Sequence, residues 1–109
     1  MHLAVQSETV IATLVELLVA RWSAERIVLF GSRARGDHDE LSDYDLLVVV
    51  PDERYHKGLS VEIRRDLAAV PVAKDLVIAT HSTFERQSPV PGTIYYEAAQ
   101  EGITLYAAA

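Results

Sequence analysis

Two short apolar runs, residues 27–30 (Ile-Val-Leu-Phe) and 46–50 (Leu-Leu-Val-Val-Val), bracket the segment that most constrains this chain. Between them stand Gly31-Ser32-Arg33-Ala34-Arg35-Gly36, an acidic stretch, and Ser42-Asp43-Tyr44-Asp45. The first run is too short for a helix, is rich in branched and aromatic residues, and stops at a glycine, which predicts a buried strand and a tight turn. The second is apolar at every position, so it predicts a strand covered on both faces and central in its sheet. The segment reads strand, turn, loop, strand, and the rest of the chain supports it.

Before it, Val10, Ile11, Leu14, Val15, Leu17 and Leu18 fall at the spacing of a helix with one buried face, running from Ser7, a candidate N-cap, to about Arg21. After Pro51, the apolar positions Leu59, Ile63, Leu67 and Val70 recur at helical spacing on a charged background, and Pro71 closes that helix. Residues 76–79 predict a third strand with Asp75 at its start, and Ser82 with Glu85 suggests a capping box for a short helix. Residues 92–101 predict a last helix, Gly102 its stop, and 103–106 a final short strand. The expected class is α/β (α+β), a small mixed sheet flanked by helices.

At 109 residues, half of them hydrophobic, the chain suits one domain spanning 1–109. Its formal net charge of −6 argues against a general nucleic-acid binder, which carries a basic footprint. With no cysteine, disulfides and thiolate metal sites are excluded. The apolar run 10–20 is broken by Thr13 and Glu16 and has no basic leader, so the expectation is a soluble, cytoplasmic protein without membrane association.

Two spacings mislead. Gly31 to Gly36 matches the glycine interval of a P-loop, but Asp37 stands where the phosphate-binding lysine belongs. Arg33 and His38 share the interval of an R-x4-H ribonuclease motif, yet Gly36 and the acidic loop between them make a shared helical face improbable.

The carboxylates say more. In a strand, residues two apart share a face at about 6.6 Å along the chain, so Asp43 and Asp45 reach one site while Tyr44 points away. Two-metal phosphoryl-transfer sites hold their ions roughly 3.5 to 4 Å apart, a span such carboxylates bridge. Asp75, if it begins a neighbouring strand, adds a third acid at the same end. Acids about 5.5 Å apart repel by roughly 3 kcal/mol per pair at an effective dielectric near 20, so the site wants divalent cations or must protonate. The turn supplies the other half. Glycine at 31 lets a phosphate approach the backbone, and a short helix opened by Ser32 would offer it free amides. Ser32 and Arg35, three apart, share a face, which makes Arg35 the phosphate contact and leaves Arg33 structural or partner-facing.

Gly31-Ser32, ten intervening residues, then Asp43-x-Asp45 on an apolar strand resembles the G-S-x10-D-x-D signature of the DNA polymerase beta nucleotidyltransferase superfamily. Gly31-Ser-Arg-Ala-Arg-Gly36 with Ser42-Asp-Tyr-Asp45, and the ending from Tyr95 to Tyr106, is similar to its minimal nucleotidyltransferase branch. The resemblance implies a polymerase-beta-like fold, two Mg²⁺ ions held by Asp43, Asp45 and Asp75, and ATP phosphates bound by the Gly31-Ser32 turn, beside which the spacing puts Arg35. It also implies a partner. Many minimal members are similar to antitoxins that transfer AMP from ATP to a tyrosine of a helical HEPN-domain ribonuclease toxin. Larger relatives carry an extra domain that walls the acceptor pocket; about thirty residues follow the third strand here, so another protein is expected to complete that side.

Each of these residues also has a plainer reading. The acids at 37–45 suit a solvated turn, Asp75 a strand start paired with Lys74 or an arginine, and Arg35 a counterion to the loop. His38, His56 and His81 sit among polar neighbours as surface residues, and Tyr95, Tyr96 and Tyr106 read as core or interface aromatics. Two other functions compete: a binding module that neutralises a toxin by contact, and a homodimeric small-molecule nucleotidyltransferase.

Overall fold

A computed structural model describes residues 2–108 of the chain, and the side chains from Thr9 onward. The elements run α1 (His2–Trp22), β1 (Arg26–Phe30), α2 (Ser32–Arg35), β2 (Tyr44–Val50), a 3-10 turn (Asp52–Arg54), α3 (Leu59–Leu67), β3 (Lys74–Thr80), α4 (His81–Gln87), α5 (Ile94–Glu101) and β4 (Ile103–Ala107). The four strands form one mixed sheet in the order β3-β2-β1-β4. Neighbours β1 and β2 are antiparallel, as are β1 and β4, whereas β2 and β3 are parallel.

Strand β2 is interior, and Leu46 through Val50 are buried on both faces. Alternation divides its side chains between two cores. Leu46, Val48 and Val50 pack with Ile27, Leu76 and the apolar sides of α1 and α3, namely Leu14, Leu18, Leu59, Ile63 and Leu67. Leu47 and Val49 pack with Val28, Phe30, Ala79 and Ala98 on the other face, where Phe84 of α4 and Tyr95 of α5 cover them. Each aliphatic side chain so buried contributes about 1.5–3 kcal/mol. Asp45, two before Leu47, therefore belongs to the α4/α5 face.

Four local expectations are corrected. Helix α1 begins at His2, so Ser7 is inside it and not its N-cap; its side chain lies outside those described. The cap of α4 is Thr80, whose hydroxyl accepts from the Thr83 amide at 3.2 Å, because β3 passes into α4 without a loop. Ser82 instead gives its amide, at 2.9 Å, and its hydroxyl to Asp52, and no capping box with Glu85 forms. Helix α5 starts at Ile94 behind a Thr93 cap, two residues later than expected. Gly102 does follow its end, but with an extended backbone (φ −75°, ψ 160°) and no left-handed cap. A Cβ there would collide with Ala98 O and the Val28 side chain, so the glycine permits close packing of α5 on β1.

Candidate active site

Three segments converge at one end of the α4/α5 face. Phe30 ends β1 opposite Asp45 in the antiparallel register, which delivers Gly31 and Ser32 beside that carboxylate. The approach is close: a Cβ on Gly31 would overlap the Asp45 carboxylate, and Gly31 takes φ +74°. Parallel pairing of β2 with β3 sets Asp45 directly against Asp75. Paired residues of adjacent strands share a face at about 4.8 Å, so two acids thirty residues apart become neighbours. Asp43 immediately precedes β2 and is exposed.

The expected one-turn helix is there, and Ser32 opens it. Amides of Ala34 and Arg35 return to Gly31 O at 3.1 and 3.0 Å, while those of Ser32 and Arg33 come too early in the helix for an intrahelical acceptor. One turn carries a weak dipole, so individual amides matter more here than the macrodipole.

The electrostatics mark Asp45 as the strained member. Burial raises its pKa first, then the charges of Asp75, Asp43 and Glu97, against a smaller opposing effect of Arg35. Among the described residues no ion pair or side-chain hydrogen bond engages Asp43, Asp45 or Asp75. The plainer reading of Asp75 as a salt-bridged strand start loses its partners. Lys74 Nζ donates to Val70 O and Val72 O at 3.1 and 3.3 Å, and Arg64 donates to Leu76 O at 2.6 Å.

Arg35 is shared between roles. Its Nε meets Asp37 Oδ2 at 3.2 Å, the counterion contact the loop composition suggested, and it also feels Glu101 and Glu97. It stands at the site's edge, 42% exposed, where an incoming anion would compete with Asp37. Glu97 and Glu101 were not singled out from the sequence, since their place on α5 shows only once that helix packs across the sheet. They line a cavity of about 480 Å³ with Thr93 and Tyr96. A second cavity, about 500 Å³ and mostly apolar, lies away from the acids between α1 and the opposite sheet face, against Ile11, Val15, Leu29 and Tyr44.

Among the described residues no three acids or histidines stand close enough to cage a cation unaided. The donors nonetheless suit Mg²⁺, which takes hard oxygens and is commonly held by one or two carboxylates plus substrate phosphates, with no all-protein cage. A cation there would relieve the mutual repulsion that raises Asp45.

A family model described as the nucleotidyltransferase domain matches residues 11–98, from within α1 to within α5. Across 28 residues the chain is 57% identical to a Methanocaldococcus jannaschii protein named "Putative protein adenylyltransferase". That match covers 26% of this chain and 28% of the archaeal protein.

Proposed function

The chain belongs to the nucleotidyltransferase domain family, and from that premise we propose that it transfers AMP from ATP, with Mg²⁺, to a hydroxyl of a partner protein. The observation carrying this reading is the register pair Asp45 and Asp75 beside the Gly31-Ser32 turn. The acceptor is proposed as a tyrosine of a HEPN-domain ribonuclease toxin, silenced by the modification. A protein acceptor is supported by the name of the archaeal relative, and the toxin by the resemblance of the Gly31–Gly36 and Ser42–Asp45 motifs to minimal nucleotidyltransferases.

Each residue then has a task. Asp43 and Asp45 would hold the two ions with the triphosphate, and Asp75 would complete the shell of the catalytic one. When bound, the ions polarise the alpha phosphate and neutralise charge on the departing pyrophosphate. The Ser32 and Arg33 amides, the Ser32 hydroxyl and Arg35 would hold the beta and gamma phosphates. The acceptor oxygen forms a bond to the alpha phosphorus as the bond to the bridging oxygen breaks, and its proton passes to the Asp75 side or to water. Charge stabilisation and positioning supply the acceleration.

The test is transfer of label from alpha-labelled ATP, with Mg²⁺, to proteins of a native extract or to the product of a neighbouring gene. Label on a discrete protein, lost with Asp43→Asn/Asp45→Asn, supports the reading. Tight binding of a partner without label would favour neutralisation by contact.

A further inference from the structure

We infer that Arg33 is a positioning residue, a clamp that sets the distance between the phosphate turn and the acid pair. The inference rests on the nucleotidyl-transfer reading above. Arg33 follows Ser32 directly, but its side chain leaves the site and crosses to the far side of the loop. Its Nε donates to Ser42 O at 3.0 Å, one terminal nitrogen to Tyr44 Oη at 3.3 Å, and the other to Asp39 O at 3.3 Å. The guanidinium also lies over the Tyr44 ring, 4.1 Å from its centroid.

The residues held are informative. Ser42 and Tyr44 are the two neighbours of Asp43, so one side chain grips the backbone before that acid and the ring after it. Tyr44 is also the residue between Asp43 and Asp45, and its ring is buried. The loop needs such a hold. Residues 36–41 are exposed, and Asp37, Asp39 and Glu40 repel one another. Its own contacts are local: the Leu41 amide to Asp39 Oδ1 at 2.8 Å, and the Asp39 amide to Ser42 Oγ at 3.1 Å. The near end of the loop is tied to the helix that carries Ser32 by the Arg35–Asp37 ion pair and by the Asp37 amide to Ser32 O at 3.2 Å; Arg33 ties its far end, Asp39 and Ser42, and the start of β2 to the same helix. A planar fork with fixed donor directions does this, whereas lysine, a flexible point charge, holds one or two of the acceptors without fixing their separation.

The test uses the full chain, Mn²⁺ with ATP as the probe, and two readouts other than turnover. Free Mn²⁺ is followed by electron paramagnetic resonance, and amide hydrogen exchange is followed over residues 37–44. Arg33→Lys is expected to weaken Mn²⁺ binding about tenfold and Arg33→Met further, within the span seen when groups that orient metal ligands are lost. Exchange over 37–44 should quicken in both. Tyr44→Phe, which removes one of the three bonds, should give a smaller loss. If Arg33→Met folds poorly, Arg33→Lys decides. Unchanged Mn²⁺ affinity in Arg33→Lys overturns the inference, whether or not exchange quickens, since the clamp would then act on the loop alone. Failure of the unmodified chain to take up Mn²⁺ with ATP overturns the nucleotidyl-transfer reading and this inference with it, and is told apart because the defect precedes any substitution.

Discussion

Gly31 faces the Asp45 carboxylate with no room for a single added carbon: a Cβ built on it would overlap the Oδ2 atom. The Gly31-Ser32 turn and the most buried of the three acids are thus in contact through an absent side chain. Gly31→Ala must move the carboxylate or the turn, and does so from φ +74°, ψ −155°, a region essentially restricted to glycine, where alanine is already strained by about 1–3 kcal/mol. We expect transfer of labelled AMP to fall at least a hundredfold, with a melting temperature lower by several degrees. Retained activity would show that the turn and Asp45 need not be in contact.

Asp45→Asn should move stability and activity in opposite directions. Burial and the charges of Asp75 and Asp43 raise the pKa of Asp45, so at neutral pH its ionised form opposes folding. An amide of the same shape removes that opposition, and the metal-free protein should melt a few degrees higher while transfer drops by about 10² or more. Asp43→Asn, at an exposed position, should match the loss of activity with less gain in stability. Thermal unfolding in chelator beside the labelling assay checks both.

Asp66 fastens α1 to α3. Its two oxygens accept from Arg21 Nη1 at 2.6 Å and Trp22 Nε1 at 2.9 Å, the second bond being partly buried. Asp66→Ala strands the indole donor and should cost about 1–3 kcal/mol in denaturant unfolding. Arg21→Ala, at a mostly exposed residue, should cost under about 1 kcal/mol.

Stability should also respond to pH at the opposite end of β3. His81 hydrogen-bonds Glu25, which with the negative charge of Glu25 raises its pKa above 6.5. Because the folded value lies above the unfolded one, the contribution is complete below about pH 6.5 and is lost as pH rises through the folded value. Asp52 behaves inversely. Its bonds from the Ser82 hydroxyl and amide lower its pKa below 3.8, so its contribution holds at neutral pH and fades as acid takes it through the folded value. Melting curves of the parent and of His81→Gln from pH 6 to 9 should converge towards the alkaline end. Parallel curves would show that the pair does not couple to folding.

Much of this site is legible in the chain itself, because its parts are local. A glycine ending one apolar run, and an Asp-x-Asp opening another, specify a turn and a pair of carboxylates at the head of a strand, with Asp45 on β2 and Asp43 just before it. The lysine and arginine near Asp75 are natural counterions by composition, yet both give their protons to main-chain carbonyls, and nothing in a linear pattern ranks a carbonyl above a carboxylate. Glu97 enters the field of Asp45 only because α5 folds back over β1, and Gly102 is required by that packing. Helix limits were the least legible. Thr80 caps α4 because strand and helix are continuous there, a fact of tertiary layout that outweighs the Ser82–Glu85 spacing.

The pairing of Asp45 with Asp75 has one more implication. Among the described strands β3 is at the sheet's edge and pairs with β2 alone, and a slip of one residue would turn Asp75 to the opposite face and put Lys74 or Leu76 beside Asp45. A chain folded with that slip would retain most of its helices and much of its compactness, and spectroscopy would pass it as native. Turnover would not. With Asp75 in the role proposed for it, activity would double as a gauge of strand alignment, accurate to a single residue, and refolding yields measured by activity would count only the chains in native register.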